Sequence, residues 1–382
     1  LCFDSSLYYD RSNFDYWWRE DLLLNNFKLK YLSKSKFPYF ISEIGINHNG
    51  KLALAIEMIK QSKSVGFDAV KFQKRDAKDL LNFNLKTKKP IGYLSKSKFD
   101  IPKKTVKFGK WVYPDTRLEL SKNDYKKIKN FCKKIKIDLI ITPWDEKSTD
   151  FVYQLDIKAI KIASIDANNF LFCDYVARKK KPTIISTGMC TYEELKITDK
   201  IFKKYKTPHM FLHCTSSYPS LEKDKNLLCI PKLKKILRAD IGFSGHGQGF
   251  AGSIGAIALG ANVIEKHCTL NKKMAGPDHS ASLEFKDLKK LIELSKKVKE
   301  SLGSTKKNLL KSEKVLHSIL SRKLVARKDI SANTSLNMSD LKSVLVYENK
   351  GFKTNKLNKL LGKKVKKNIT KGHIFSNRDL KI

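Results

Sequence analysis

Residues 240–267 read DIGFSGHGQGFAGSIGAIALGANVIEKH, and this stretch decides the fold. A short apolar run (240–245) leads into a small-residue helical stretch (249–259), and a second apolar run (262–267) follows: strand, helix, strand. In the second strand Ala261, Val263, Glu265 and His267 share a face, because successive side chains alternate. A carboxylate and an imidazole on such an apolar strand are costly unless partners meet them. The stretch therefore predicts a parallel crossover with chemistry at the end of its second strand.

The same rhythm extends upstream to residue 38. Runs at 39–45, 68–73, 137–142, 159–163, 183–188, 209–214, 240–245 and 262–267 predict strands. Helical patterns follow each, at 51–65, 122–136, 146–155, 170–180, 191–205, 226–237, 249–259 and 285–301. Eight strands alternating with eight helices predict a parallel (β/α)8 TIM barrel, an α/β fold, over 38–301. An insertion at about 76–120, between the second strand and its helix, is expected to form a lid or an interface element. After 301 the rhythm stops. Residues 302–318 read as a linker, and 319–382 as a small β-rich domain. Residues 1–37 mix aromatics with charges and lack a signal-peptide pattern, so they are set aside as an extension.

Bulk properties narrow the class. The net charge of +39 on 382 residues invites a nucleic-acid reading, but the basic residues are 68 Lys and only nine Arg. Specific readout leans on arginine's planar fork, and these lysines are spread along helical segments such as 124–136. No nucleic-acid partner is expected. No apolar run approaches the roughly 20 residues a bilayer needs, so no membrane partner is expected either. Seven cysteines without a CxxC pair suit a reduced, cytoplasmic protein with buried thiols.

Barrel enzymes gather their chemistry at the C-terminal ends of the strands. Here those ends carry Glu43; Lys71 and Gln73; Thr142; Lys161, Ser164 and Asp166; Ser186; His213, Ser216 and Tyr218; Ser244 and His246; Glu265 and His267. His246 and His267 end neighbouring strands and are expected to share a divalent ion, with His213 as the competing ligand. Two nitrogens among oxygen partners favour Mn2+ or Mg2+ over a closed zinc site. Lys71 and Lys161, with the hydroxyls around them, predict an anion pocket, since two ammonium groups in one barrel repel until an anion joins them.

At these residues the chain resembles a known family. ISEIGINHNG, VKFQK, IKIASIDANNF, ISTGM, LHCTSSYP, IGFSGHGQGF, ALGANVIEKH and GPDHSASLE look like the motif series of the sialic acid synthases, in that family's order, across about residues 38–300. The tail resembles the small antifreeze-like (SAF) domain that follows the barrel in those enzymes. The resemblance implies condensation of phosphoenolpyruvate with an N-acylhexosamine, N-acetylmannosamine or its 6-phosphate, to a nine-carbon 2-keto acid and phosphate. It implies His246 and His267 as ligands of a divalent metal, Mn2+ with Mg2+ or Co2+ as alternatives. Phosphoenolpyruvate contacts fall on Lys71, Thr142, Lys161, Ser164, Ser186 and Ser244. Sugar contacts fall on Gln73, Asp166, Tyr218 and Asp278, with Glu43 beside the reacting centre. Glu43 is the candidate for moving the proton, and Glu265 is expected to orient a metal ligand, the metal-bound water or the sugar. A homodimer is also implied.

Asp166 stands where many bacterial members carry Glu, and SIDANNF looks more like the animal-type enzymes. Ser216 replaces an Asn of some members. SVLVYENKGF replaces a KRPG-like segment, and no Arg stands there. Two other readings compete: a pyruvate- or metal-dependent sugar aldolase with a Schiff-base lysine, and a basic polyanion- or glycan-binding protein.

Overall fold

Eight parallel strands close on themselves in the computed structural model, which describes residues 27–32, 37–76, 83–84, 89–90, 118–347 and 350–381. They are β1 (Tyr39–Gly45), β2 (Ala69–Lys74), β3 (Asp138–Pro143), β4 (Ala159–Ile162), β5 (Thr183–Ser186), β6 (His209–Cys214), β7 (Ile241–Gly245) and β8 (Val263–Thr269). Each pairs with its successor, and β1 pairs with β8, so no edge remains. β8 runs two residues past its expected end, placing His267 within the strand.

The alternating helices are α1 (Leu52–Val65), α2 (Lys122–Ile135), α3 (Glu146–Gln154), α4 (Phe170–Arg178), α5 (Tyr192–Lys204), α6 (Cys229–Leu237), α7 (Ala251–Ala258) and α8 (Phe285–Ser301). Local chemistry sets their ends. Ser121 with Asp124, and Thr191 with Glu194, form capping boxes at α2 and α5. Gly66, at φ +100°, ends α1 in the left-handed conformation that other residues resist.

Strand alternation divides the apolar residues into two cores. Outward residues such as Phe40, Val70, Ile141, Ile160, Phe211 and Ile264 pack beneath the helices. Inward residues Ile41, Ala69, Ile140, Ala159, Ile184, Leu212 and Val263 fill the barrel's lower interior. Tyr39, Phe27 and Leu32 join this inner cluster. Phe27 and Leu32 belong to the extension set aside on sequence grounds; two of its apolar side chains instead complete the barrel floor. A pocket built this way has a packed base and cannot act as a pore.

Gly242 belongs to this interior. A Cβ there would lie 2.5 Å from Leu212 Cδ2 and 2.6 Å from the carbonyl oxygen of Val263. Gly242→Ala is therefore expected to cost about 1–3 kcal/mol by overpacking, read as a lowered denaturation midpoint at unchanged slope. An unshifted midpoint would show that the interior gives way freely.

The chain divides into two compact units, Leu1–Gly303 and Ser304–Ile382. The second has its own core, including Leu324, Leu341, Leu360, Val365 and Phe375, around the antiparallel pair β9 (Lys323–Ala326) and β10 (Leu341–Val344). Part of the expected linker is helical, at Lys314–Leu320, with exposed apolar side chains such as Val315 and Leu316. The lid or interface element expected at 76–120 lies outside the described residues except for 76, 83–84, 89–90 and 118–120. Among the described residues no helix is long and apolar enough to cross a membrane.

Candidate active site

One tier above the apolar floor, the inward positions turn polar: Glu43, Lys71, Thr142, Lys161, Ser186, Ser244 and Glu265, all buried. Barrel register sets them side by side. Glu43 lies opposite both Lys71 and His267, and Glu265 opposite Ser244.

Two lysines and two carboxylates dominate this tier. Lys71 Nζ is 3.0 Å from Glu43 Oε2 and 3.6 Å from Glu265 Oε1, and it donates to Thr142 Oγ1 at 3.3 Å. Lys161 Nζ donates to Ser186 Oγ at 2.5 Å and to the Ile162 carbonyl at 3.1 Å, with Glu265 Oε2 at 4.0 Å. Ser244 Oγ donates to Glu265 Oε1 at 2.9 Å. This corrects the sequence argument for the anion pocket. The ammonium groups are already offset by buried carboxylates, so mutual repulsion does not by itself call for an anion.

Burial and pairing push these groups apart. Burial raises the Glu43 carboxyl, helped by the nearby Glu265 charge and opposed by Lys71. Burial also works to raise Glu265, but Lys161 and Lys71 outweigh it and hold this carboxyl below its ordinary value. Lys71 stays above its usual range because Glu265 and Glu43 overcome desolvation. Lys161 is lowered by burial, which its more distant carboxylate does not offset.

The two imidazoles expected to share an ion come together, with ring centroids 5.4 Å apart. His246 Nδ1 is 2.9 Å from the Thr215 carbonyl, which can only accept, so the proton sits on Nδ1 and Nε2 is an acceptor, whose lone pair an ion would take in place of the Tyr218 hydroxyl. Tyr218 stacks on this ring at 4.2 Å, and its hydroxyl donates to Nε2 at 3.1 Å. Among the described residues His267 Nδ1 is buried without a hydrogen-bond partner; the Asp278 carboxylate oxygen is 4.0 Å away, out of reach. Burial first, then the neighbouring cations, keeps His267 well below the usual imidazole range, and burial lowers His246 to about 4. Neutral rings, one tautomer fixed by a backbone carbonyl and one orphaned nitrogen fit a pair of metal ligands. Among the described residues no cluster of three His, Cys, Asp or Glu could hold an ion, so the remaining positions would fall to water and substrate oxygens.

His213, the competing ligand, points away. Met210 and Leu212 face the barrel interior while Phe211 packs outward. His213 shares the outward parity, and its Nε2 is 2.7 Å from the Lys225 carbonyl.

The expected sugar contacts are less uniform. Gln73 Nε2 donates to Glu43 Oε1 at 2.9 Å. Asp278 is partly buried beside His267, and burial raises its carboxyl to about 6. Asp166 follows β4 on a turn (Ser164–Asp166), where Asn169 donates to it at 3.2 Å. Ser164 Oγ lies 2.9 Å from Cys214 Sγ. A Cβ on Gly188 would come within 2.3 Å of Ser216 Oγ and 3.0 Å of Ser164 Oγ, so this glycine keeps a polar recess open.

Arg75 was missed in the sequence. It is 3% exposed, donates to Gln73 Oε1 at 2.9 Å and pairs with Glu119. The signal was present: Lys71, Gln73 and Arg75 keep one parity.

Comparison with known proteins gives a consistent result. The NeuB family model matches residues 58–307 and the SAF domain model residues 322–381. The N-acetylneuraminate-9-phosphate synthase of Mus musculus is 37% identical, over 86% of this chain and 89% of its own length. The N,N'-diacetyllegionaminic acid synthase of Legionella pneumophila is 32% identical, over 87% and 92%. A crystal structure of N-acetylneuraminic acid (sialic acid) synthetase from Leptospira borgpetersenii, with citrate, superposes with a TM-score of 0.63 at 30% identity, covering 74% of this chain and 90% of that one.

Proposed function

Since this chain belongs to the NeuB family and is a sialic-acid-type synthase, we propose that it condenses phosphoenolpyruvate with an N-acylhexosamine, N-acetylmannosamine or its 6-phosphate. The products are a nine-carbon 2-keto acid and inorganic phosphate. One observation carries this reading: two buried lysines and two buried carboxylates of opposite pKa tendency share one inward-facing tier, and two neutral imidazoles 5.4 Å apart follow two residues beyond it, near the ends of β7 and β8.

Lys71 and Lys161, with Thr142, Ser164, Ser186 and Ser244, hold the enol phosphate and its carboxylate. Each ammonium has three donors. Lys161 can keep its two hydrogen bonds and reach a ligand with the third, while on Lys71 a ligand takes the place of one of its three internal partners. Gln73, Asp166, Tyr218 and Asp278 orient the open-chain sugar with its C1 carbonyl towards the methylene carbon of phosphoenolpyruvate. His246 and His267 would hold a divalent ion, Mn2+ in this proposal, which when bound would supply Lewis-acid polarisation of that carbonyl. The methylene carbon bonds to C1, C2 becomes cationic, and water adds at C2. The adduct then collapses by C–O cleavage: phosphate leaves with the proton of the C2 hydroxyl, and the C1 oxygen, an alkoxide once its carbonyl has opened, receives the other proton of that water.

The opposed carboxylates divide the remaining work. Burial raises the Glu43 carboxyl and makes it the more basic of the two, so Glu43 takes the proton from the adding water. Glu265, held low by its lysines, stays ionised and acts as a fixed counter-charge to the cation at C2. A homodimer in the cytoplasm belongs to the same proposal; sedimentation and cell fractionation test it.

The deciding experiment incubates the full chain with phosphoenolpyruvate, Mn2+ and either N-acetylmannosamine or its 6-phosphate. Phosphate release matched by 2-keto acid formation is expected with at least one sugar. Release with neither sugar, nor with any other N-acylhexosamine, overturns the proposal. Borohydride trapping of a pyruvate imine on Lys71 or Lys161 would replace it with an aldolase.

A further inference from the structure

Between Glu43 and the end of the 76–120 insertion runs a chain of four side chains. Glu119 Oε1 is 2.9 Å from Arg75 Nε, Arg75 donates to Gln73 Oε1 at 2.9 Å, and Gln73 Nε2 donates to Glu43 Oε1 at 2.9 Å. We propose that Arg75 is a positioning residue for the condensation: it dictates which way the Gln73 carboxamide points, and through it how Glu43 and the sugar are held. This rests on the synthase reading above.

The physical reason is a mismatch of hydrogen-bonding types. A guanidinium has only donors and an ionised carboxylate only acceptors, while a carboxamide has one end of each kind. Placed between Arg75 and Glu43, Gln73 satisfies both neighbours in one orientation. The reversed amide would set oxygen against the Glu43 oxygen and NH2 against the guanidinium. With a side chain at position 75 that makes no hydrogen bond, nothing on that side would enforce the choice, because the two orientations are nearly isosteric.

Arg75 is itself fixed from two directions. The Glu119 carboxylate forms an ion pair with the guanidinium and accepts the Arg75 backbone N–H at 3.2 Å, and the Trp144 ring centroid lies 5.1 Å from Cζ. Lysine offers a single compact charge and cannot serve Glu119 and Gln73 with arginine's rigid fork.

The test is a double-mutant cycle on the full chain with Mn2+, comparing wild type, Arg75→Met, Gln73→Met and the double variant. Arg75→Met is expected to lower kcat/KM for the N-acylhexosamine by about 10- to 100-fold, as a displaced positioning contact does. Phosphoenolpyruvate affinity, read by calorimetry, should stay unchanged, and Arg75→Lys should recover part of the loss. In the Gln73→Met background Arg75→Met should cost nothing further. Losses that multiply, or an equal fall in phosphoenolpyruvate affinity, overturn the proposal.

Arg75→Met leaves the Glu119 carboxylate facing no guanidinium, so the cycle is repeated in a Glu119→Gln background, which tolerates the neutral side chain. If the wild type turns over no N-acylhexosamine, the synthase reading falls, and the relay is still decided by the melting points of the same four proteins. Coupled shifts keep it and additive shifts end it.

Discussion

Glu265→Gln is expected to lose about 3–5 kcal/mol of folding stability at neutral pH, the range for breaking a buried ion pair from one side. The residue is 3% exposed and stands between Lys71 and Lys161, at 3.6 and 4.0 Å. Glutamine preserves the shape but leaves Lys161 without its carboxylate. The pH dependence has a definite sign. The Lys161 pKa is already lowered in the folded state, and removing Glu265 lowers it further. A lysine depressed on folding destabilises the fold while it is protonated, and this penalty fades as pH rises through its folded pKa towards the ordinary lysine range. The deficit of the variant should therefore shrink between pH 7 and pH 10, read from parallel denaturation curves in that interval. Phosphoenolpyruvate should raise the melting temperature of the variant more than that of the wild type, because its charges replace the missing carboxylate. A deficit independent of pH would mean that the ion pairs contribute nothing.

The second large effect concerns the imidazoles. His246→Ala and His267→Ala should each lower phosphate release on the order of a thousandfold, the scale of several kcal/mol of lost Lewis-acid stabilisation. Titration with Mn2+ alone gives a reading independent of turnover. Wild type and His213→Ala should bind the ion, and the other two variants should not. Mn2+ binding that survives both substitutions, or is lost with His213→Ala, would remove the proposed metal pair. His213→Ala should instead show a lowered melting temperature, since its Nε2 faces the Lys225 carbonyl.

Much of this architecture was legible from residue order. Helices with capping boxes announced their starts, as Ser121 and Asp124 do, and every run predicted as a strand is a strand, with ends within two residues. Strands bearing inward charges also showed their parity. In VIEKH, Glu265 and His267 must share a face, and Lys71 and Gln73 must share another. The β6 run HMFLHC offered no such clue. A strand covered by side chains inside and helices outside is apolar on both faces, so Met210, Phe211 and Leu212 could not say which way His213 points.

Residue order by itself thus determined the alternation of eight strands and eight helices, the polar ends of those strands and the chemical types gathered there. Those depend on neighbours a few positions apart, where backbone geometry alone dictates the periodicity. Only the closed barrel decided which charges pair: Lys71 on β2 meets Glu265 on β8 because β1 joins both strands. It also decided that Phe27 and Leu32 join the floor and that Arg75 reaches back to Gln73. Such contacts depend on how far apart distant strands come to lie, and burial then makes each unpaired charge too costly to leave alone.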